Sequence, residues 1–312
     1  MKKIVKVFII NILVISFILT SVIFLDIKIG EKMNFKYAGY NYKGYRGEIK
    51  GPKKNDFLRI TTLGGSTTFG YGTTYQESWP YLLEQLFKKK KYKIDIVNLG
   101  LQSNTIRGIL LDLNHYDYLD FDIAIIYSGY NDCYYKGLSE VLTRHENFFF
   151  KNFGYLPIIQ TYLVEKTIIL LGKNINEFYA SGKKSFIMCD DQSIENISDE
   201  DINKFKNKIN NNYLKHFRKV IEKLISKNKI VIVMHQPLMY TTGGKLQKIQ
   251  RDQLKKMLSD YEIVKQVDAN NLLDASNKDL FFDNQHLKYR GNLIISNLLY
   301  NFISKELLNN QN

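Results

Sequence analysis

Five short apolar runs, each separated from the next by a longer amphipathic or polar stretch, constrain the fold of this 312-residue chain most strongly. The runs are residues 57–63, 93–99, 121–127, 229–235 and a weaker one at 262–268. Their length and β-branched content are typical of buried strands. Helical patterns lie between them, most clearly at residues 79–90, 104–116, 201–227 and 291–308. Strands that alternate with helices predict right-handed crossovers, and therefore an α/β fold with a five-stranded parallel sheet between two helical layers, a three-layer α/β/α sandwich.

The N-terminus carries a different signal. Residues 7–25 contain no charged side chain and are long enough to cross the hydrocarbon core of a bilayer, which is about 30 Å thick. No small-residue cleavage site or lipobox cysteine follows, so the segment is predicted to be an uncleaved transmembrane anchor. Lys2, Lys3 and Lys6 precede it, and the positive-inside tendency predicts a cytoplasmic N-terminus. We therefore expect a single-pass protein of the cell membrane with its catalytic domain outside the cytoplasm.

These patterns divide the chain into three parts. Residues 1–26 form the cytoplasmic stub and anchor, the polar stretch 27–56 is predicted to be a stem or linker, and residues 57–312 form the main domain. Residues 133–200 fit the strand and helix alternation poorly and are rich in Tyr and Phe in their first half. We interpret this segment as an insertion that forms a lid or a wall of the substrate site, or a patch of ordinary core aromatics.

Composition excludes several classes of protein. The formal charge is +13, but the lysines are scattered, and no basic stripe with interleaved stacking aromatics indicates a nucleic-acid partner. A basic surface that meets anionic lipid or glycan, or one that is only solvated, fits better. Cys133 and Cys189 are the only cysteines, which rules out a disulfide framework and leaves one disulfide open.

The stretch LGGSTTFG places one serine, Ser66, just past the first predicted strand. A P-loop would need a lysine after Gly70, where the chain has Tyr71. The nucleophile elbow of α/β-hydrolases would need a glycine two residues beyond the serine, where the chain has Thr68. The remaining interpretation puts Ser66 at the start of a helical turn, with its hydroxyl and its N–H facing a ligand.

A serine nucleophile needs a base, and the base needs a partner that fixes its tautomer. Asp283 and His286 are three residues apart before the last helix and supply such a pair. An oxyanion also needs donors. Gly100 follows the second predicted strand and Asn131 follows the third, so we expect a backbone amide and a side-chain amide at the same edge of the sheet.

In this order the blocks LGGSTTFG, NLG, GYND and DNQH resemble the four blocks of the GDSL/SGNH family of serine esterases. The segment NYKGYRGEIKG resembles the entry segment of its membrane-anchored bacterial members, and YQESWPYLLEQL resembles their next helix. The resemblance implies a flavodoxin-like fold, Ser66 as nucleophile, His286 as general base and acid, and Asp283 as its partner. It also implies an oxyanion hole made by Ser66, Gly100 and Asn131. One departure is Gly65, where the family motif has an aspartate, and this leaves the substrate class open.

The function expected from the resemblance is hydrolysis of an acyl or O-acetyl ester on a cell-envelope glycan or lipid, through an acyl-serine intermediate and without a cofactor. An O-acyltransferase with the same triad and a non-catalytic envelope glycan-binding or scaffold protein remain alternatives. A metal site formed by Asp132, His235, Asp283 and His286 lacks any close ligand pair in the sequence, so no metal is expected. His235 is interpreted as a structural residue, and Asp132 as the acceptor of a structural hydrogen bond.

Overall fold

The computed structural model describes residues 2–33, 40–134, 145, 147–159, 163, 170–171, 199–238, 243–283 and 285–308. In chain order its first half contains helix α1 (Lys2–Met33), strand β1 (Leu58–Gly64), helices α2 (Ser66–Phe69) and α3 (Trp79–Lys89), strand β2 (Ile94–Asn98), helix α4 (Ile106–His115), strand β3 (Ile123–Tyr127), and helices α5 (Tyr130–Tyr134) and α6 (Phe148–Phe153). Helices α7 (Asp199–Lys208) and α8 (Lys215–Ser226) are joined by a π-helical turn, Ile209–Leu214. Strand β4 (Ile230–His235), helix α9 (Gly243–Leu258), strand β5 (Lys265–Asp268) and helix α10 (Tyr289–Ile303) follow, and a last π-helical turn covers Ser304–Leu308.

The strands form one parallel sheet in the order β2-β1-β3-β4-β5. All five coincide with the predicted runs to within three residues, so the predicted α/β fold with a five-stranded parallel sheet is confirmed. The order reverses direction between β1 and β3, because the chain adds β2 on one side of β1 and then β3 on the other. Side chains at the carboxyl ends of β1 and β3 therefore face a crevice, which is where open α/β sheets bind ligands.

Side chains alternate between the two faces of the sheet and pack into two separate cores. On one face Ile60, Ile96 and Ile125 pack under α3 and α10, where Trp79 and Leu299 are fully buried. On the other face a second set packs under α4 and α8; it includes Leu63, Val97, Ala124, Ile126, Ile109 and Phe217. Both faces are covered by helices, as the apolar character of the strands predicts.

The described part of the predicted stem, residues 40–56, packs against the main domain. Tyr45 and Arg46 are almost completely buried, and Arg46 forms an isolated antiparallel bridge with Asn98 at the end of β2. Lys50 forms an ion pair with the buried Glu84 on α3 at 2.8 Å. This part of the stem therefore belongs to the folded domain, and its Gly, Lys and Tyr content did not reveal that.

Helix α1 is long and apolar enough between Lys3 and Ile29 to cross a membrane. Its apolar side chains are exposed in the structure, as a lipid-facing helix requires. The predicted insertion at 133–200 lies largely outside the described residues, apart from α6 and short stretches near it. Cys133 is buried and disulfide-bonded, and Cys189, the other cysteine of the chain, lies outside the described residues.

Candidate active site

Ser66 is the first residue of α2, directly after β1. Gly65 precedes it in extended conformation, and the carbonyl of Gly65 accepts hydrogen bonds from the amides of Thr68 and Phe69. The first amides of a helix have no acceptor within the helix, so the N–H of Ser66 points out of the turn. The tight turn after β1 therefore presents both the hydroxyl and the amide of Ser66 at the sheet edge.

A continuous chain of hydrogen bonds joins Ser66, His286 and Asp283. The Ser66 Oγ lies 2.8 Å from His286 Nε2, and His286 Nδ1 lies 2.7 Å from Asp283 Oδ2. With the imidazole proton on Nδ1, that N–H donates to Asp283, and Nε2 accepts from the serine hydroxyl. The predicted serine, histidine and aspartate therefore meet in the arrangement that activates a serine hydroxyl.

The loop before α10 fixes the acid and the imidazole in this arrangement. The backbone amides of Gln285 and His286 donate to Asp283 Oδ1 at 2.8 and 2.7 Å. Burial by itself would raise the pKa of the Asp283 carboxyl, but the hydrogen bonds from His286 and from the two amides hold it below its ordinary value. The ring of Tyr71 packs against the imidazole with a centroid distance of 4.8 Å. Asp283 is therefore ionised at neutral pH, and the imidazole is held from two sides.

Asn131 lies on α5, next to the nucleophile turn. Its Nδ2 donates one hydrogen to the carbonyl of Asn104 at 2.7 Å, and a primary amide has a second hydrogen that can reach a ligand. A Cβ at Gly65 would lie 2.5 Å from Asn131 Nδ2, closer than real Cβ atoms come. Gly65 therefore lets the asparagine amide lie directly beside the serine turn.

Gly100 is placed differently from the sequence expectation. Its N–H donates to Asn98 Oδ1 at 2.9 Å, in a turn of the kind that Asn favours two residues ahead of a glycine. A Cβ at Gly100 would collide with the backbone of Thr68 and Phe69. The residue must be glycine because α2 packs on it, and its amide already has an acceptor. The structure therefore assigns Gly100 a packing role and does not present its amide to the site.

Ser103 is a residue that the sequence reasoning missed. It lies in the turn closed by the Asn104 N–H and the Leu101 carbonyl, with φ +57° in the left-handed region. A non-glycine residue at such an angle is uncommon and costs about 1 kcal/mol or more. The turn ends at Asn104, whose carbonyl holds Asn131. The amide of Ser103 is therefore a second candidate donor at this side of the site, and only its dihedral angle indicates it.

Arg46 is the other missed residue. Its guanidinium donates to the carbonyls of Gly70 and Thr73 at 2.8 and 2.7 Å, and also to the carbonyl of Phe69. It stacks on the ring of Phe69, 4.2 Å from the centroid. Burial lowers its pKa to about 10, which leaves it charged at neutral pH. Arg46 therefore stabilises the carbonyl end of the turn that carries Ser66. The sequence signal that could have indicated this role is the arginine in KGYRG, in a chain whose basic residues are mostly lysines.

Asp132 accepts a hydrogen bond from the Ile106 amide at the start of α4, at 3.1 Å from Oδ1 and 3.2 Å from Oδ2. Its predicted structural role is confirmed. Burial raises the pKa of this carboxyl to about 7. His235 is buried, and its Nε2 bonds Gln266 Oε1 at 2.9 Å rather than meeting Asp283. Among the described residues, no group of three His, Cys, Asp or Glu side chains could hold a metal ion.

The fold and this geometry are those of a hydrolase of the α/β/α type, and comparison with known proteins agrees. The family model of GDSL-like Lipase/Acylhydrolase matches residues 60–299. The chain belongs to this family, and it is an enzyme that acts on ester bonds. A search among curated proteins finds no match.

Solved structures with a similar fold include three bacterial proteins. A putative lipolytic protein of the G-D-S-L family from Desulfitobacterium hafniense is 18% identical and covers 78% of this chain and 98% of its own, with a TM-score of 0.47. The esterase EstA from Pseudoalteromonas is 15% identical and covers 80% of this chain and 98% of its own, with a TM-score of 0.49. A G-D-S-L family lipolytic protein from Veillonella parvula is 14% identical and covers 80% of this chain and 99% of its own, with a TM-score of 0.48. The family assignment depends on the family model and not on these structures.

Proposed function

We propose that this protein is a membrane-anchored serine esterase that removes an acyl group, such as acetyl, from a cell-envelope glycan or lipid. The observation that carries the proposal is the unbroken chain of hydrogen bonds from Ser66 through His286 to Asp283. Each of the three side chains has the neighbour that its role requires.

In the first half of the reaction, Ser66 Oγ attacks the ester carbonyl carbon while His286 Nε2 takes the hydroxyl proton. The imidazolium that forms is stabilised by the ionised Asp283. The negative charge on the former carbonyl oxygen faces the amide of Ser66 and the side chain of Asn131, with the Ser103 amide as a further donor. The tetrahedral intermediate then collapses, the ester oxygen leaves with the proton from His286, and the acyl group stays on Ser66.

In the second half, a water molecule gives its proton to His286 Nε2 and attacks the acyl-serine. Collapse of this intermediate returns the proton to Ser66 Oγ and releases the carboxylic acid. If a sugar hydroxyl attacks in place of water, the same residues transfer the acyl group, so product analysis with a hydroxyl acceptor distinguishes the two reactions.

The envelope location is supported by two features. The N-terminal helix has lysines before its apolar run, which favours a cytoplasmic N-terminus and an outward domain. Cys133 is disulfide-bonded, and disulfides persist outside the reducing cytoplasm. Both features support a location of the catalytic domain among the acylated glycans and lipids of the envelope.

The test is turnover of p-nitrophenyl acetate by the full chain in detergent micelles, beside Ser66→Ala and, as a matched control, Ser276→Ala. Ser276 is exposed, and among the described residues its hydrogen bonds go to Asp274 in its own turn. We expect Ser66→Ala to lose turnover and labelling by a fluorophosphonate probe, and Ser276→Ala to keep both. Turnover that survives in a folded Ser66→Ala protein would refute the acyl-serine route.

A further inference from the structure

Three phenylalanines on α6 are exposed, and the ring of one of them, Phe148, contacts the rings of the other two. Phe148 is 65% exposed, Phe149 41% and Phe153 69%. The ring of Phe148 lies 5.6 Å from that of Phe149 and 6.2 Å from that of Phe153, measured between centroids. We call these three residues the phenylalanine patch. Scattered exposed apolar residues are normal, but a contiguous aromatic cluster in water marks an interaction surface.

The patch is tied to the anchor helix α1 through one carboxylate. Tyr155 follows α6, and its hydroxyl donates to Asp26 of α1. The amides of Ile158 and Ile159 donate to the two oxygens of the same carboxylate at 3.0 and 2.7 Å. Asp26 is only 6% exposed, so three donors from one segment enclose it. The segment that carries the patch is thus hydrogen-bonded directly to the anchor helix.

The position of Asp26 along α1 indicates where this contact lies relative to the bilayer. It directly follows the uncharged residues 7–25, and a helix of that length spans about 28 Å at 1.5 Å per residue. This is close to the thickness of the hydrocarbon core, about 30 Å. A carboxylate is costly inside the core, so Asp26 marks the membrane boundary, and Tyr155 lies at the same level.

The phenylalanine patch is joined to Tyr155 by ring contacts. The Phe149 ring lies 6.5 Å from the Tyr155 ring, and Phe148 is one ring contact further. Lys151 is exposed on the same helix and can meet an anionic headgroup. Aromatic rings beside lysines, at the level where a membrane helix leaves the core, suit the boundary between headgroups and acyl chains.

We propose that the phenylalanine patch docks on the outer face of the bilayer beside α1, with Phe148 and Phe153 inserted at the boundary between headgroups and acyl chains. The occupant of the patch is the lipid surface itself, which is continuous with the lipid around the anchor. Two attachments, the helix and the patch, then hold the domain in one orientation over the membrane. This proposal rests on the membrane-spanning role of α1 and does not depend on the ester that is cleaved.

The test uses the full chain in nanodiscs and introduces tryptophan at single positions. The chain has one tryptophan, Trp79, which is fully buried in the domain core and gives a constant background. Phe148→Trp and Phe153→Trp report on the patch, and Phe17→Trp reports on the anchor. Ile263→Trp is the matched control, because Ile263 is 59% exposed and precedes β5, at the opposite edge of the sheet from β2.

Each variant is compared in nanodiscs of ordinary phosphatidylcholine, of phosphatidylcholine brominated near the headgroup end of its chains, which is the depth of the patch, and of phosphatidylcholine brominated near the chain ends, which is the depth of Phe17. We expect the added emission of Phe148→Trp and Phe153→Trp to be blue-shifted and to lose more than half its intensity in brominated lipid. Ile263→Trp should keep its intensity and be quenched by aqueous iodide. Circular dichroism of each variant confirms that it is folded.

Phe17→Trp separates failure of the patch from failure of the anchor. If it is quenched by brominated lipid while both patch variants emit as solvent-exposed tryptophan, the patch proposal is wrong and the anchor stands. Patch emission that is blue-shifted but insensitive to bromine would place another protein or a second copy on the patch, and would also overturn the proposal. If Phe17→Trp itself is not quenched, α1 does not span the bilayer and both proposals fall.

Discussion

Two aspartate–histidine pairs in the part of the chain that the structure describes have the same nitrogen–oxygen distance. His286 Nδ1 lies 2.7 Å from Asp283 Oδ2, and His145 Nε2 lies 2.7 Å from Asp112 Oδ1. Their surroundings differ. The Asp283 side chain is 47% exposed at the edge of the crevice, whereas that of Asp112 on α4 is completely buried.

The third partner separates the two pairs chemically. The second nitrogen of His286 faces the Ser66 hydroxyl. The ring of His145 instead packs near the rings of His115 and Phe150, at centroid distances of 5.7 and 5.5 Å. An aspartate–histidine pair activates a nucleophile only where a strand end places a nucleophilic side chain beside the imidazole. The distance within the pair does not decide this.

The second pair still reaches the site indirectly. Asp112 Oδ2 accepts from Asn104 Nδ2 at 2.9 Å, and the carbonyl of Asn104 holds the side chain of Asn131. One pair therefore acts on the nucleophile, and the other supports the residue that positions the proposed oxyanion donor. We regard Asp112 and His145 as positioning residues.

The largest expected difference is between the two histidines. We predict that His286→Gln lowers kcat for p-nitrophenyl acetate by about 10⁴-fold to 10⁶-fold, because removing the base of a serine triad costs about as much as removing the serine. His145→Gln should change kcat by less than about 10-fold, since it acts only through Asn104. Steady-state kinetics of both variants check this, and equal losses would erase the distinction between the pairs.

Asp283→Asn comes next. An amide here favours the wrong imidazole tautomer, and a loss of about 10⁴-fold in kcat is known for this change in a serine triad. We expect a loss of about 10² to 10⁴ because Asp283 is partly exposed and water can replace some of its effect. The loss should be much smaller in a Ser66→Ala background, because the residues act as a unit. Full additivity in the double variant would contradict the triad.

Much of this arrangement is readable from the sequence, because its determinants are local. The five strands are buried apolar runs, and Asp283 and His286 are close in the chain, so spacing is enough. Gly100 was assigned a donor role that its amide does not have, because the acceptor is the side chain of Asn98 and its rotamer is not visible in a pattern. Arg46 reaches carbonyls more than twenty residues away in the chain. Long-range contacts and side-chain conformations decide these features.

Asn131→Ala tests the proposed oxyanion donor, whose position the second pair supports. Removing one donor of this kind typically costs about 10² to 10³ in kcat. Because Asn131 donates only to the Asn104 carbonyl among the contacts described, we expect little change in the free energy of unfolding. Asn131→Asp is the matched control, since it keeps the size and loses the donor, and it should be at least as slow. A kcat within a few-fold of the parent in both would exclude Asn131 from the reaction.

The free energy of unfolding should rank the two pairs in the opposite order, with the larger loss at Asp112. Asp112→Ala leaves the Asn104 amide and His145 without their acceptor in a buried place, at about 1 to 3 kcal/mol for each group. We expect a loss of about 3 kcal/mol in the free energy of unfolding, measured by urea denaturation in detergent. Asp283→Ala, at an exposed edge, should lose less than about 1 kcal/mol. The reverse ranking would show that the exposed pair is the structural one.

The smallest effect is expected at Asp132, a carboxylate that accepts from a backbone amide rather than from a histidine. Burial raises its pKa to about 7 from the ordinary value of 3.8, so folding favours the protonated form. Its contribution to stability is then complete below about pH 4 and is lost as the pH rises through 7. Between pH 5 and pH 8 this corresponds to about 2.7 kcal/mol, because the loss extends over about two pH units, from pH 5 to pH 7, at 1.36 kcal/mol per unit. Asp132→Asn keeps an acceptor for the Ile106 amide and removes the titration, so it should gain stability relative to the parent as the pH rises. Urea denaturation of both proteins at pH 5 and pH 8 measures the difference, and parallel pH profiles would show that the carboxyl is ionised in the fold throughout.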